Sequence, residues 1–395
     1  MSAQAGPLVA DHPDDLVTVV IPARNEAGCL PACLRSVLDQ DWPLLQVIVV
    51  DGASTDATPE VVAEHARRDR RIELVQNPAG IIPVSLNLGL TAARGRWLVR
   101  VDAHAQIPPG YVRAAVGHLA SGSWGGVGGR KNGVGRTPAG RAIAAAMSSP
   151  FGVGNSTYHY GTKPQPVEHI PFGAYPTELV RRLGGWDERL KVNQDFEFDF
   201  RLRQHGYQLL FDPVLTIDWD CRESIPELFR QYLRYGRGKA KVAWLHPTSV
   251  RPRHLAAPAL VASWAAGGVL ATKRPKLALL SGLPYVGAVV LASVHTAPKL
   301  SSRGERRWLP AALVAMHAGW GLGFWAGLAR QVSTATDDVR HSPLGRPVPK
   351  LGPGRRLAQR AVVCRVVWRR RAMRTSNIPV PSSTTATWSR GSTLS

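Results

Sequence analysis

Short apolar, largely β-branched runs alternate with helical patterns through the first hundred residues, and this alternation limits the fold more than any other feature. All four runs predict strands, and the first two lack the alternating polar residues of a half-exposed strand, so they predict strands buried on both faces. The runs cover residues 16–21, 46–50, 72–75 and 97–101. Helical segments lie between them, for example at residues 85–94. This order predicts an α/β domain with a mostly parallel, Rossmann-like sheet and helices on both faces.

Acidic residues follow two of these strands. Asp51 opens the sequence Asp-Gly-Ala-Ser-Thr-Asp, and Asp102 opens Asp-Ala-His. Ligands bind beyond the carboxyl ends of parallel strands, so Asp51 can accept hydrogen bonds from a nucleobase or a ribose. Asp102 and His104 project to one side of an extended segment and can share a divalent cation. The structural alternative for the first motif is helix capping, which we expect of Asp56. The alternative for the second is a chance occurrence, because Asp-X-His alone is a weak motif.

Two further polar motifs lie in the second half of this region. Asp195 precedes a predicted helix over residues 196–204, where it can act as the general base that deprotonates an acceptor hydroxyl. Spacing alone favours a simpler role, in which Asp195 and Glu197 stabilise the helix N-terminus. Arg234 lies in a predicted amphipathic helix over residues 225–246. Its guanidinium suits the oxygens of a pyrophosphate, with binding to anionic lipid as the alternative.

Three long stretches without charge follow, at residues 255–272, 277–297 and 309–328. Each has about the ~20 residues needed to cross a bilayer core, and a buried helical subdomain is the alternative. After Asp338 the chain has no acid but twelve Lys and Arg residues, which supply over half of the net charge of +21. This tail predicts a basic helix over residues 355–374, then a disordered Ser/Thr-rich end.

Composition divides the chain into four parts. Residues 1–15 form a flexible leader, 16–245 the α/β domain, 250–330 the apolar helices, and 331–395 a basic, largely disordered tail. Within the domain, residues 121–165 are rich in glycine and serine, which predicts loops and short irregular structure. The acidic N-terminus has no apolar segment and does not resemble a signal peptide. Four scattered cysteines favour a reducing compartment.

Taken together, these motifs resemble those of the inverting family 2 glycosyltransferases, whose nucleotide-sugar transferase fold is called GT-A. The resemblance covers roughly residues 16–245. Residues 19–26 resemble the family's opening strand and nucleotide-contacting loop, and residues 51–56 resemble its Asp-Asp-Gly-Ser-Thr-Asp motif. Asn87, Gly89, Ala92 and Gly95 fit the helix before the metal motif, and residues 102–104 stand where the family has Asp-X-Asp. Residues 184–188 with Gln194 and Asp195 resemble the acceptor-side segment and its base, and residues 231–235 resemble the Gln-X-X-Arg-Trp motif. The Asp-Ala-His form and the apolar C-terminal third look most like the succinoglycan-type transferases, which build exopolysaccharide on a lipid carrier.

Three positions depart from the family pattern. His104 replaces the second Asp, which leaves the metal preference open, because imidazole is an ordinary ligand of Mn²⁺-like ions. Gln194 stands where the family has an acidic residue, immediately before Asp195. Tyr235 replaces Trp, which argues against a processive synthase.

The resemblance implies a metal-dependent transferase that moves a sugar, with inversion, from a nucleotide donor, expected to be a UDP-sugar. The acceptor it implies is a hydroxyl of a lipid-linked or polysaccharide chain. It implies Asp195 as the catalytic base, and Asp102 and His104 as ligands of Mn²⁺ or Mg²⁺. The implied nucleotide-sugar site consists of Pro22, Ala23, Asn25, Glu26, Asp51, Arg100, Asp102 and Arg234.

The charge pattern predicts a location at the inner (plasma) membrane with the catalytic domain in the cytoplasm. Each cation of the tail near an anionic membrane surface contributes about 1 kcal/mol. Three spans would put the tail on the opposite side from the catalytic domain, against the positive-inside rule. We therefore expect two spans, with residues 255–272 lying in the interface.

Three other interpretations were weighed. Nucleic-acid binding is disfavoured, because the basic residues follow membrane-like segments without the usual aromatic interleaving. A catalytically inactive, transferase-like scaffold of a membrane complex stays open, because His104 and Gln194 depart from the pattern. Within the same fold, a polyprenyl-phosphate glycosyltransferase is the alternative, with a bare lipid phosphate as acceptor.

Overall fold

The computed structural model describes the backbone of residues 15–340 and the side chains up to Thr334. The predicted leader and the predicted helix over residues 355–374 lie outside the described residues. The described strands are β1 (Val17–Ala23), β2 (Leu45–Asp51), β3 (Ile72–Gln76), β4 (Trp97–Arg100), β5 (Ala105–Gln106), β6 (Gly126–Gly128), β7 (Lys131–Val134), β8 (Gln165–Val167), β9 (Ala174–Pro176), β10 (Leu209–Phe211) and β11 (Ile217–Asp220).

The described helices are α1 (Leu30–Leu38), α2 (Thr58–Arg68), α3 (Ile82–Ala92), α4 (Tyr111–Ala120), α5 (Pro138–Met147), α6 (Pro150–Val153), α7 (Thr177–Arg182), α8 (Gln194–Gln204), α9 (Ile225–Leu245), α10 (Pro252–Ala271), α11 (Pro275–Thr296), α12 (Arg303–Arg306) and α13 (Leu309–Arg340). Short 3₁₀ turns lie at Thr157–His159, Pro247–Ser249 and Ala297–Lys299. The described residues up to Leu328 belong to one unit, and a second unit begins at Ala329.

An eight-stranded sheet has the order β3-β2-β1-β4-β9-β6-β10-β8. β1 lies between β2 and β4 and is parallel to both, so that Val17 pairs with Leu45 and with Trp97. β9 runs antiparallel to β4 and β6, and β8 runs antiparallel to β10. The predicted α/β class and the four predicted strands are confirmed, with strand ends shifted by at most two residues.

Both faces of the sheet are buried, as the unbroken apolar runs predicted. Val19 packs with Leu34 in the core on one face, and Val20 packs with Ile48 in the core on the other. Helix α3 approaches β1 closely, since a Cβ at Gly89 would lie 2.4 Å from a methyl group of Val20. Glycine at this position therefore lets the helix rest directly on the central strand.

Residues 121–165 are more regular than their composition predicted. They contain β6, β7 and the ten-residue helix α5. Thr137 caps α5, because its hydroxyl accepts a hydrogen bond from the Gly140 amide at 2.9 Å. The loop prediction was wrong here because α5 is built from small residues, among them the buried Ala142 and Ala146, which give little contrast between its faces. β7 joins β11 and β5 in a second, three-stranded sheet.

Three described helices near the C-terminus are long and apolar enough to cross a membrane, judged by length and composition: Pro252–Ala271, Pro275–Lys299 and Arg303–Thr334. The first two form an antiparallel hairpin, in which Trp264 contacts Tyr285 with ring centroids 5.3 Å apart. The hairpin leaves large apolar side chains uncovered, including Leu279 at 74% exposure and Leu291 at 69%. Uncovered apolar surface of this extent is typical of helices that associate with a membrane.

Helix α13 instead packs on the α/β domain. Gly319, Gly323 and Gly327 face α9, and a Cβ at Gly323 would lie 2.2 Å from the carbonyl oxygen of Leu233. This spacing of small residues lets two helix backbones approach closely, as in membrane-embedded helix pairs. Part of α13 is thereby removed from any lipid contact.

The segment between α11 and α13 also touches the domain, which bears on the predicted membrane topology. Glu305 Oε1 accepts a hydrogen bond from Arg141 Nε of α5 at 2.6 Å, and Lys299 Nζ donates to the hydroxyl of Ser148 at 3.1 Å. If α11 and α13 were the two spans, this segment would lie across the membrane from the domain it contacts. These contacts favour a different pair of spans, and the placement of residues 255–272 in the interface stays a prediction.

Candidate active site

The loops that follow β1 and β2 are joined by hydrogen bonds. The Asn25 amide donates to Ser54 Oγ at 2.9 Å, and the Thr55 amide donates to Asn25 Oδ1 at 2.8 Å. The Glu26 amide donates to Thr58 Oγ1 at 2.8 Å. Asn25 has a φ of 57°, in the left-handed region that asparagine tolerates better than most residues. Its side chain therefore shapes the loop, whereas the sequence placed it among the nucleotide-binding residues.

Asp51 closes β2 and is 2% exposed. Its Oδ2 accepts a hydrogen bond from the Ser54 amide at 3.3 Å, and its Oδ1 is buried with no partner in the described part of the chain. An unpaired buried carboxylate oxygen is costly unless a ligand satisfies it. The end of β1 lies beside this oxygen, because the carbonyl of Ala23, the residue after Pro22, accepts a hydrogen bond from the Gly52 amide at 2.7 Å. The predicted cap at Asp56 is one residue out, because Ala57 holds the N-cap position of α2; Asp56 Oδ1 still accepts a hydrogen bond from the Thr58 amide at 3.0 Å.

Arg100 connects the end of β4 to the start of α8. Its Nε and Nη2 lie 3.0 and 2.9 Å from Asp102 Oδ1. Its Nη1 lies 3.8 Å from Asp195 Oδ2 and has no hydrogen-bond partner among the described residues. Burial opposes the charged form, but the two carboxylates raise the pKa of Arg100 above its ordinary value. One buried guanidinium thus holds two predicted site residues together.

His104 is fixed by Glu26 from the loop after β1. Its Nδ1 lies 2.9 Å from Glu26 Oε1. Burial opposes protonation, but the hydrogen bond to Glu26 and the charge of Asp102 raise the pKa of His104 above its ordinary value. A carboxylate on one ring nitrogen orients the other toward a metal ion. Asp102 and His104 could therefore supply two ligands to a divalent cation, and among the described residues no group of three or more His, Cys, Asp or Glu side chains could hold a metal ion, at this site or at any other.

Asp195 lies in the first turn of α8, as the structural alternative proposed. Its Oδ1 accepts a hydrogen bond from the Phe196 amide at 2.9 Å. Burial would raise the pKa of Asp195, but His169, Arg100 and Lys131 lower it below the ordinary value. The carboxylate is therefore held ionised beside Arg100, as a proton acceptor requires.

The sequence interpretation missed the side chains that surround Asp195. His169 Nδ1 lies 2.7 Å from Asp199 Oδ2, and Tyr175 Oη donates to Asp199 Oδ1 at 3.0 Å. Asp199 stands four residues after Asp195 on α8, a spacing that places both on one helix face and offered a signal. His169 lies in an irregular segment, where no periodic pattern marks it.

Lys131 and Phe172 lie beside Arg100 and near the carboxylates of Asp102 and Asp195. Lys131 Nζ lies 3.7 Å from the Trp219 ring centroid and 5.2 Å from that of Phe172. The Arg100 guanidinium lies 5.3 Å from the same Phe172 ring. Burial lowers the pKa of Lys131 to about 8. Phe172 has a φ of 51°, which is strained for a bulky residue and is typical of functional sites.

Arg234 lies on the exposed side of α9. Its neighbour Tyr235 accepts a hydrogen bond from Gln231 Nε2 at 2.9 Å, and the Tyr235 carbonyl accepts from Asn193 Nδ2 at 3.2 Å. These contacts attach α9 to the start of α8. The predicted contact of Arg234 with a pyrophosphate stays a prediction.

Comparisons with known proteins agree with this geometry. The family model described as glycosyl transferase family 2 matches residues 18–182. The succinoglycan biosynthesis protein ExoA of Rhizobium meliloti is 31% identical over 317 residues, which cover 78% of this chain and 94% of that protein. The dolichyl N-acetyl-alpha-D-glucosaminyl phosphate 3-beta-D-2,3-diacetamido-2,3-dideoxy-beta-D-glucuronosyltransferase of Methanococcus voltae is 23% identical over 251 residues, 59% of this chain and 78% of that protein.

Among solved structures, the mannosyltransferase PcManGT of Pyrobaculum calidifontis, in complex with GDP-Man and Mn²⁺, has a TM-score of 0.53 and 24% identity over 78% of this chain and 89% of that one. This likeness confirms the GT-A fold. The match to the Rhizobium protein, which covers nearly the whole of that protein, shows the family to which this chain belongs. The chain is a glycosyltransferase and belongs to glycosyl transferase family 2.

Proposed function

We propose that the enzyme transfers a sugar, with inversion, from a UDP-sugar to a hydroxyl of a lipid-linked glycan in exopolysaccharide or cell-envelope biosynthesis. The observation that carries the proposal is the position of Arg100 between Asp102 and Asp195. The buried Arg100 guanidinium thus contacts both Asp102, the predicted metal ligand, and Asp195, the predicted base. The relation to a succinoglycan biosynthesis protein supports the class of acceptor.

The donor's nucleotide is proposed to bind at the ends of β1 and β2. Asp51 Oδ1 can accept a hydrogen bond from the base, because the described chain leaves this atom without a donor. Pro22, Ala23 and Glu26 are proposed to complete this part of the site, with Pro22 partly exposed at the end of β1. A nucleotide sugar is also present in the Pyrobaculum enzyme, which holds GDP-Man. A GDP-sugar is therefore the alternative donor.

Asp102 and His104 are proposed to hold Mn²⁺ or Mg²⁺ together with the donor diphosphate. The Mn²⁺ in the Pyrobaculum enzyme supports a divalent ion of this kind. Such an ion, when bound, neutralises charge on the diphosphate leaving group. Glu26 orients His104 for this role through the Nδ1 contact of 2.9 Å.

Asp195 is proposed to take the proton of the acceptor hydroxyl as that oxygen attacks the anomeric carbon. The new bond forms between the acceptor oxygen and the anomeric carbon, and the bond from that carbon to the phosphate oxygen breaks on the opposite side. A single displacement of this kind inverts the configuration. Arg100 and His169 keep Asp195 ionised before the attack, and the proton ends on its carboxylate.

The hairpin of α10 and α11 is proposed as the membrane-inserted part, at the cytoplasmic face of the inner membrane. Each helix is long enough for the ~30 Å core, and both hairpin ends lie on the side of the catalytic domain. Two spans of this kind keep the basic tail on the side of the domain, as the positive-inside rule requires. Cysteine placed at Lys273, at the tip, should react with an impermeant thiol reagent from outside intact cells. Reaction only in inverted vesicles would contradict the proposal.

The test of function is hydrolysis of a panel of nucleotide sugars by the detergent-extracted full chain, with and without Mn²⁺ or Mg²⁺. Metal-dependent release of UDP from one donor, lost in Asp102→Ala, is the expected result. Release of GDP from a GDP-sugar, with no release from any UDP-sugar, would show that the donor is a GDP-sugar. If the protein neither binds nor hydrolyses any nucleotide sugar, the proposal fails and the inactive-scaffold interpretation takes its place.

A further inference from the structure

A basic cavity of about 530 Å³ adjoins the active site. It lies between β7, α5 and the segment from α11 to α12. Its charged lining consists of Arg130, Lys131, Arg141, Lys299 and Glu305. Glu305 is engaged by Arg141, whose Nε lies 2.6 Å from Glu305 Oε1. The other three cations of the lining, Arg130, Lys131 and Lys299, are not part of this ion pair.

None of these three cations forms a direct ion pair in the described part of the chain. Arg130 and Lys131 have no carboxylate oxygen within 4.0 Å. Lys131 Nζ rests on the Trp219 ring, 3.7 Å from its centroid. Lys299 Nζ donates to the carbonyl and hydroxyl oxygens of Ser148, which are neutral. Several uncompensated cations in one concave site favour a ligand that carries more than one negative charge.

The cavity reaches the reaction centre at one end. Trp219 lines it, and the ring of Trp219 lies 6.0 Å from the ring of His104. Lys131 lies close enough to Asp102 and Asp195 for both carboxylates to act on its charge. A ligand in the cavity therefore lies near His104 and within electrostatic reach of the proposed base.

The other end of the cavity reaches the base of the apolar hairpin. Lys299 closes the turn that follows α11, and Leu300 and Ser301 continue the lining. The base of a membrane-inserted hairpin lies at the level of lipid headgroups, where phosphates are found. The cavity thus connects the headgroup level to the reaction centre.

We propose that this cavity binds the diphosphate of a lipid-linked acceptor and directs the acceptor's terminal sugar toward Asp195. The inference rests on the proposed function and adds to it the position of the acceptor's anionic group. Guanidinium and ammonium groups match phosphate oxygens, and the volume is that of an ordinary small-ligand site. Inorganic pyrophosphate shares this chemistry, and the hairpin base favours the lipid-attached form.

The experiment measures binding of decyl diphosphate to the detergent-extracted full chain by calorimetry, with UDP and Mn²⁺ saturating the donor site. Arg130→Gln should weaken binding roughly tenfold, because one charge-assisted contact is lost. Arg130→Gln combined with Lys299→Gln should weaken it further. The matched control is Lys276→Gln, which removes an exposed cation at the hairpin tip and should leave the affinity unchanged.

Each other outcome has a defined meaning. Equal affinity of wild type, Arg130→Gln and Lys299→Gln overturns the proposal, as does competition between decyl diphosphate and UDP for one site. Equal binding of pyrophosphate and decyl diphosphate assigns the cavity to a free anion and overturns the lipid assignment. Circular dichroism checks folding, and Lys299→Gln alone replaces Arg130→Gln if that variant is unfolded. Binding that depends on Arg130 in a protein that hydrolyses no nucleotide sugar would overturn the proposed function and leave the cavity assignment in place.

Discussion

Glu26 Oε1 lies 2.9 Å from His104 Nδ1, so the loop after β1 holds the imidazole that follows β4. The two residues are 78 positions apart in the sequence. The resemblance assigned Glu26 to the nucleotide and His104 to the metal. The contact makes Glu26 a positioning residue for His104, and through it the nucleotide and metal parts of the site become one unit.

Glu26→Gln should weaken metal binding. A carboxylate partner fixes the orientation of a metal-bound histidine, and its loss typically costs ~10–100-fold in affinity or activity. The measurement is the Mn²⁺ concentration that half-activates nucleotide-sugar hydrolysis. Glu60→Gln on the exposed side of α2 is the matched control. An unchanged Mn²⁺ requirement in Glu26→Gln would show that the contact does not support a metal ion.

Asp195→Asn should lower turnover by ~10²–10⁴ and leave UDP affinity nearly intact, because the amide cannot accept the proton. Single-turnover transfer and UDP titration measure the two effects separately. Asp41→Asn, in an exposed ion pair with Arg113, serves as the control. A large loss of UDP affinity in Asp195→Asn would contradict the role of base.

His169→Gln should move the acid limb of the rate profile to higher pH. Burial raises the pKa of Asp195, and the charges of His169 and Arg100 lower it. Without His169, the pKa of Asp195 rises, so the base becomes protonated at a higher pH as the solution is acidified. The pH dependence of kcat in wild type and variant is the measurement. A limb that stays in place would mean that His169 does not act on Asp195.

Glu197→Gln should destabilise the fold at neutral pH. Burial raises the pKa of Glu197, but hydrogen bonds from His246 and Arg201 lower it below the ordinary value of 4.5. A depressed folded-state pKa stabilises the protein above that ordinary value, and the contribution is lost as pH falls through the lower folded value. Breaking a buried pair costs roughly 3–5 kcal/mol.

Thermal melts of the full chain between pH 7 and pH 3 measure this effect. The difference in melting temperature between wild type and Glu197→Gln should shrink toward the acid end. Glu64→Gln, whose carboxylate pairs with Arg68 on the protein surface, is the control. A difference that is constant with pH would show that the loss comes from packing and not from the charge.

Gly323→Ala should separate α13 from α9. The added Cβ would lie 2.2 Å from the Leu233 carbonyl oxygen, which is backbone and cannot turn aside. Overpacking of this kind costs roughly 1–3 kcal/mol, and α9 carries the contact between Tyr235 and Asn193 that leads to α8. We therefore expect a lower melting temperature and a lower transfer rate.

Gly287→Ala is the matched control, because nothing lies within 4 Å of the Cβ it would add on α11. Equal melting temperatures for the two variants would show that the glycine contact between α13 and α9 contributes no stability.

The parallel half of the sheet could be predicted from the sequence, because buried strands are unbroken apolar runs and turns are marked by polar residues. The Asp51 loop and the first turn of α8 were predicted for the same reason. Asp102 and His104 were predicted on an extended segment, but they lie in a turn that the hydrogen bond from the Ala105 amide to the Asp102 carbonyl closes at 2.9 Å. Residues 121–165 were not, because the small side chains of α5 and the three-residue strand β6 give no period to detect. Asp199 shared a detectable helical spacing with Asp195, but His169 and Phe172 lie in an irregular segment.

The sequence by itself determined the fold class, the family and the residue types of the chemistry, since these follow from local patterns and ordered motifs. Only the tertiary structure decided which side chains meet. Arg100 joins Asp102 to Asp195 across 93 positions of sequence, and Arg141 joins Glu305 across 164. Such contacts depend on how whole elements pack, and no local period encodes them. The same packing supports the proposed membrane topology, because the segment after α11 is held by α5 of the catalytic domain.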